Sequence, residues 1–159
     1  MSFLQLEDYF LTRLHVDFHF PKKTEVQVEE LSVDFDYDSL THQDDPLRRM
    51  LTLRIRAGER SKGGEEIAHQ VDCEINGQFR IPEDVPKEHH EGLVCINGLS
   101  ILYSTLRGII GNLSGSFPSG RLCLPTINPG DVVKRVQKAK SKAAKKTAKP
   151  RKKAVKKKP

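Results

Sequence analysis

Apolar and polar residues alternate in four successive stretches of the first half of the chain. In the first, Leu14, Val16, Phe18 and Phe20 share one phase, and Arg13, His15, Asp17 and His19 share the other. That period of two predicts a strand buried on one face, read over Leu6 to Phe20 and stopped by Pro21. A second strand is predicted from Val26 to Tyr37. Val26 and Val28 keep one phase while Leu31, Val33, Phe35 and Tyr37 keep the other, so a bulge or crossing is expected near Glu29 and Glu30. The polar run Asp38 to Pro46 reads as a turn. The third strand, Leu47 to Ala57, sets Leu51, Leu53, Ile55 and Ala57 against Thr52, Arg54 and Arg56. After a glycine-containing connection over Gly58 to Glu65, the fourth, Glu66 to Ile81, keeps Ile67, Val71, Cys73, Ile75, Phe79 and Ile81 in register. Gly77 marks a place where it can loosen or bend. Four such strands with short connections predict an antiparallel sheet with one buried face.

The period then changes. Between Gly92 and Pro129, the most apolar part of the chain, Leu99, Leu102, Tyr103, Leu106, Ile109, Ile110 and Leu113 recur at helical spacing. They predict a helix of at least four turns whose stripe covers the sheet. Ser104, Gly108, Gly111 and Gly115 lie roughly a turn apart beside that stripe. Each interior glycine costs about 1 kcal/mol relative to alanine, so the small-residue track is read as close approach of a second helix, with a loose or broken helix as the alternative. Phe117-Pro118 marks the exit. Leu122, Cys123 and Leu124 form a short extended piece closed by Pro125, and Asp131 is the expected cap of a last helix through Val132, Val133 and Val136.

Charge divides the chain differently. Residues 134–159 hold 14 of the 27 lysines and arginines and no acid, leaving 1–133 with 13 bases, all 21 acids and a net charge of −8. The overall charge of +6 therefore describes neither part. Two units are expected: a folded domain over 1–133 and a lysine-rich tail over 134–159. From Lys138 on, the tail lacks apolar residues enough for a core and should be disordered. It reads either as a solvated tail or as an electrostatic tether to nucleic acid, the ribosome or an acidic membrane. Without aromatic neighbours, its nucleic-acid contact would be blind to sequence and sensitive to salt. Three widely spaced cysteines without a CxxC pair suit a reducing compartment. The acidic N-terminus does not resemble a secretory signal, and no uninterrupted apolar run reaches membrane-spanning length, so the expected location is cytoplasmic.

Candidate chemistry is sparse. The glycines match no phosphate-binding loop, and the histidines never pair with cysteines at zinc spacing, so no cofactor and no metal are expected. His15 and His19 share a face read as polar surface, and His89-His90 reads as surface too. Cys123 is expected to be a small core residue, not a nucleophile. The alternating Asp34, Asp36 and Asp38 read as a wet strand face. The protein is expected not to be an enzyme.

One stretch carries a resemblance. Ile101-Leu102-Tyr103 with Arg107, then Gly115-Ser116-Phe117-Pro118, then Leu122-Cys123-Leu124-Pro125-Thr126-Ile127-Asn128, are ordered as in the C-terminal half of SecB-like export chaperones. The resemblance spans about residues 4–137. It implies an α+β fold in which a four-stranded antiparallel sheet is covered by a long helix, with the basic tail as an addition. It also implies an ATP-independent holdase that binds unfolded polypeptide in apolar grooves and assembles as a homotetramer, a dimer of dimers packed through the long helices. Candidate groove residues are Leu102, Tyr103, Leu106, Ile110 and Phe117. Ser104, Gly108 and Gly111 are candidates for the oligomer interface. Expected clients are unfolded preproteins delivered to SecA or, as the alternative, an antitoxin. The run Arg13 to Pro21 keeps only the phenylalanine-then-proline ending of the export-type first strand and is more similar to the divergent SecB-like branch, some of whose members guard antitoxins. A nucleic-acid-binding protein acting through the tail is the alternative from another class.

Overall fold

The phase of the apolar residues decides which way each strand faces, and register shows where that phase is reset. The computed structural model describes residues 4–18, 28–61, 66–117 and 121–147. Strands β1 (Gln5–Phe18), β2 (Val28–Thr41), β3 (Arg48–Ser61) and β4 (Glu66–Arg80) form one antiparallel sheet in the order β1-β4-β3-β2. Leu53 stands opposite Ile75, Ile55 opposite Cys73, and Ala57 opposite Val71. These side chains are buried on one face. The expected irregularity in β2 is a register slip between Val28 and Glu30. β2 runs on to Thr41, through residues expected to turn, because pairing of Asp38 with Thr52 and Leu40 with Met50 extends the ladder. Tertiary pairing there overrides local composition.

β1 carries two slips, between Leu6 and Asp8 and between Leu11 and Arg13. Each inserts one residue and resets the phase. Leu6, Tyr9, Leu11, Leu14 and Val16 consequently stand opposite Phe79, Gly77, Ile75, Cys73 and Val71, on the apolar face. Without the bulges, Leu6 and Tyr9 would point to opposite faces.

A continuous helical run of 28 residues, Lys87–Ser114, follows the sheet. It comprises α1 (Lys87–Leu93), one π-helical turn (Val94–Gly98) and α2 (Leu99–Ser114). By length and composition this run reaches what a membrane span requires, but its apolar stripe is used by the sheet. Leu99, Leu102, Leu106 and Ile110 are fully buried. His90, expected at the surface, is buried instead, with its Nε2 2.9 Å from the carbonyl of Val85.

The chain leaves α2 along an extended segment, 121–128, which Ser114 fastens. Its hydroxyl donates to the Ile110 carbonyl at 2.7 Å and accepts the N–H of Leu122 at 2.8 Å. Tyr103 donates to the Pro125 carbonyl at 2.5 Å. Leu122 and Leu124 are buried, whereas Cys123 between them is exposed. The alternation of an extended segment turns Cys123 outward, which corrects the core position expected for it.

Asn128, not Asp131, caps the last helix, α3 (Pro129–Thr147): its side-chain oxygen accepts the N–H of Gly130 at 3.0 Å. Pro129 then occupies the first helical position, where its missing N–H is harmless. The expected last helix through Val132, Val133 and Val136 forms, and Val132 and Val136 are buried. The expected disorder from Lys138 does not hold as far as Thr147, since α3 continues without a break through the charge boundary at Lys134. Lysine and alanine favour helix once tertiary contacts hold its first turns. Residues 148–159 of the tail lie outside the described residues.

Candidate functional site

The groove residues read from the sequence come together, but in the core. Leu102, Leu106 and Ile110 are fully buried and Tyr103 nearly so, its ring packed 5.7 Å from that of Phe35. Helix α2 lies close enough to the sheet to bury these four side chains, which form the core of the protomer and present no surface, while Leu113 of the same stripe stays exposed. Phe117, the fifth, is half-buried. The small-residue track divides. Ser104 is exposed, and Gly108 faces open space, with nothing within 4 Å of an added Cβ. Gly111 is buried under the Arg121 side chain, whose Nε would lie 2.8 Å from such a Cβ. Gly111 is therefore explained within the protomer, and of the three interface candidates only Ser104 and Gly108 lie open on the solvent side of α2.

The exposed apolar surface lies mainly elsewhere. The helical layer leaves β1 partly uncovered, and Tyr9 and Leu14 on that face are 46 % and 38 % exposed, while Phe10, opposite Asn76 on the polar face, is 41 % exposed. Leu102 reaches over Gly77 of β4, while Tyr103 turns toward β2. Ile109 and Leu113 follow Leu102 at i+7 and i+11, so they occupy the flank of α2 turned toward β4 and β1. Leu113 is exposed on that flank. Among the described residues β1 pairs only with β4, and its other edge, 14 residues long, is open. An edge of unpaired backbone groups beside exposed aromatic and leucine side chains can accept an extended peptide. The sequence signal for this surface, Tyr9-Phe10, is masked by the two bulges, which break the alternation there.

The opposite edge is occupied. Lys140 of α3 lies 2.8 Å from Asp38 and 3.2 Å from Asp36, donates to the Tyr37 carbonyl, and stands 5.3 Å from the centre of the Tyr37 ring. The carboxylates belong to the polar face and the Tyr37 ring to the apolar one, so a single ammonium meets both only at the sheet edge. The hydrogen bond from Lys140, then that from Arg54, holds the Asp38 carboxyl below its ordinary value.

The polar face carries a network of its own contacts. Arg54 reaches Asp38 and Glu74 at 2.7 Å each and Asp36 at 3.1 Å. Asn76 donates to Thr12 at 3.1 Å and accepts from Thr52 at 2.6 Å, tying β1, β4 and β3 together. A hydrogen bond from Thr12, then one from Arg54, lowers the Glu74 pKa. Asp36 and Asp38 are thus ion-paired members of a wet strand face, as expected. His15 is exposed beside Asp17 at 2.7 Å, and His19 lies outside the described residues. Among the described residues no three acids, histidines or cysteines are placed to hold a metal ion. Burial raises the Cys73 and Cys95 thiols to about 12, Glu91 adding to the effect at Cys95.

An antiparallel sheet in this order, covered on one face by a long helix, defines the class: the fold is SecB-like. Among solved structures, the chain is similar to a SecB-like chaperone of Mycobacterium tuberculosis in complex with a ChAD peptide from the HigA1 antitoxin. The two are 19 % identical with a TM-score of 0.56, over 78 % of this chain and 90 % of that one. It is also similar to a protein of unknown function from Streptococcus agalactiae, at 8 % identity and a TM-score of 0.47, over 77 % of this chain and 97 % of that one. No family model and no curated protein matches the sequence.

Proposed function

We propose that the protein is a chaperone that holds unfolded polypeptide without nucleotide. The observation that carries this reading is the open β1 edge with exposed Tyr9, Phe10 and Leu14 on a SecB-like fold. An extended client pairs its backbone with the edge and lays apolar side chains on Tyr9, Leu14, Leu113 and Phe117. Holding the unfolded segment shifts the client away from its native or aggregated state by mass action. Copies assemble through the solvent side of α2, where Ser104 and Gly108 leave room for a second helix, into a homotetramer.

Export preproteins handed to SecA are the first client class. The peptide held by the M. tuberculosis relative favours a second, a segment of an antitoxin. Aggregation of a chemically denatured reporter, followed by light scattering without ATP, tests the common core of both. Suppression is expected near stoichiometric chaperone, with Tyr9→Asp/Leu14→Asp losing most of it at an unchanged melting temperature. No suppression at severalfold molar excess overturns the proposal. Capture of many preproteins or of one antitoxin then separates the clients.

A further inference from the structure

We infer that the outer face of α3 is a docking surface for nucleic acid, held through its phosphates and independently of the chaperone reading. Lys134, Lys138 and Lys142 follow one another at i+4 along one side of the helix, with Arg135 beside them, and all four are exposed. At 1.5 Å rise per residue this spacing sets a cation about every 6 Å along the helix. Among the described residues no acid lies within ion-pair distance of these four, in contrast to Lys140, which Asp36 and Asp38 hold. The three lysines therefore do not serve as counter-charges for the acidic domain, while Arg135 shares a cleft with Asp34 of β2. Asp131 is the lone acid after position 91 in the whole sequence. The segment from Pro129 to Pro159 is otherwise a polycation whose complement is a polyanion.

The helix also discriminates between polyanions. A helix that binds membranes needs an apolar face free to enter the lipid. Here the apolar stripe, Val132 and Val136, is buried against the protein's own core, and the segment 129–159 contains no aromatic residue. What α3 offers outward is charge alone, which suits a phosphate backbone. Lacking aromatic side chains to stack on bases, it binds without preference for sequence.

The test is fluorescence anisotropy of labelled mixed-sequence duplex DNA and single-stranded RNA with the full-length protein over a range of salt. On duplex DNA the slope of log K against log salt steepens by about 0.9 for each phosphate neutralised. The full-length variant Lys134→Gln/Arg135→Gln/Lys138→Gln/Lys142→Gln is expected to flatten it by about 3.6. A fourfold rise in salt then costs the unaltered protein about 10²-fold more affinity than the variant. Glutamine keeps helix propensity, and circular dichroism checks that α3 survives. A second full-length variant, with the lysines and arginine of 148–159 changed to glutamine, is expected to retain salt-dependent binding. The inference is overturned if the helix variant keeps the original slope or if the second variant loses all binding. It is also overturned if vesicles of phosphatidylcholine with phosphatidylserine are bound while neither nucleic acid is.

Discussion

Leu102 of α2 occupies the space in which any side chain at position 77 would sit. A Cβ added to Gly77 would lie 2.7 Å from Leu102 Cδ2 and 2.7 Å from the ring of Phe79. The glycine lets the helix settle on β4 and bury its stripe. Gly77→Ala should therefore destabilise the fold by about 1–3 kcal/mol through overpacking, and Leu102→Ala by about 2–5 kcal/mol through the cavity it leaves. The double variant should lose less than the sum, because each change relieves the other's defect. Denaturant titration of the three proteins measures the coupling, and strict additivity would refute the contact.

Arg54 is shared by three carboxylates, whereas Arg56 meets Asp72 at 3.4 Å and is largely exposed. Arg54 is itself more than a third exposed, so solvent screening limits its contribution. Arg54→Gln is expected to cost about 0.5–1 kcal/mol and Arg56→Gln less than about 0.5 kcal/mol. The difference should shrink in high salt. Equal losses for the two variants would mean that an arginine shared by three carboxylates adds nothing over one that meets a single carboxylate.

Acid should weaken the fold through Asp38 and Glu74. Both carboxyls have lowered values in the folded protein, through Lys140 and Arg54 at Asp38 and through Thr12 and Arg54 at Glu74. A lowered folded value means that the unfolded chain binds more protons on acidification. The stabilisation is fully present above the unfolded values of about 4 and is lost as pH falls through the folded ones. Melting temperatures measured across that range should drop more steeply for the parent than for Asp38→Asn/Glu74→Gln. Parallel profiles would count against the assignment.

Thiol chemistry should divide the cysteines one against two. Cys73 and Cys95 are buried and raised to about 12, so little thiolate forms at neutral pH, while Cys123 is exposed. A disulfide reagent in excess should label one thiol quickly in the native protein and the other two only on unfolding. Three thiols reacting at one rate would contradict the burial.

The sheet and its long helix were legible because Leu51 to Ala57, Val71 to Ile81 and Leu99 to Leu113 keep their periods unbroken. β1 was legible only from Leu14 onward, since the bulges at Glu7 and Thr12 hide its earlier phase. The strand order was not readable, because pairing of β1 with β4 joins residues about sixty positions apart and leaves no local trace. Site residues failed for a related reason. Periodicity identifies the apolar stripe of α2 but not how completely the sheet covers it, so Leu102 and Ile110 looked available. The position of Lys140 depends on where α3 meets β2, and composition alone marked that lysine only as one charge among many.

The two edges of the sheet differ in what they permit. One is stoppered by Lys140 at the Tyr37 carbonyl, and the other, β1, is bare. A sheet bare on both sides can recruit copies without end and grow into a fibre. With one side stoppered, an extended peptide paired along β1 covers the sheet's remaining bare edge, and growth ends there. Removing the stopper at Lys140 would leave a bare edge on the sheet even when β1 is filled.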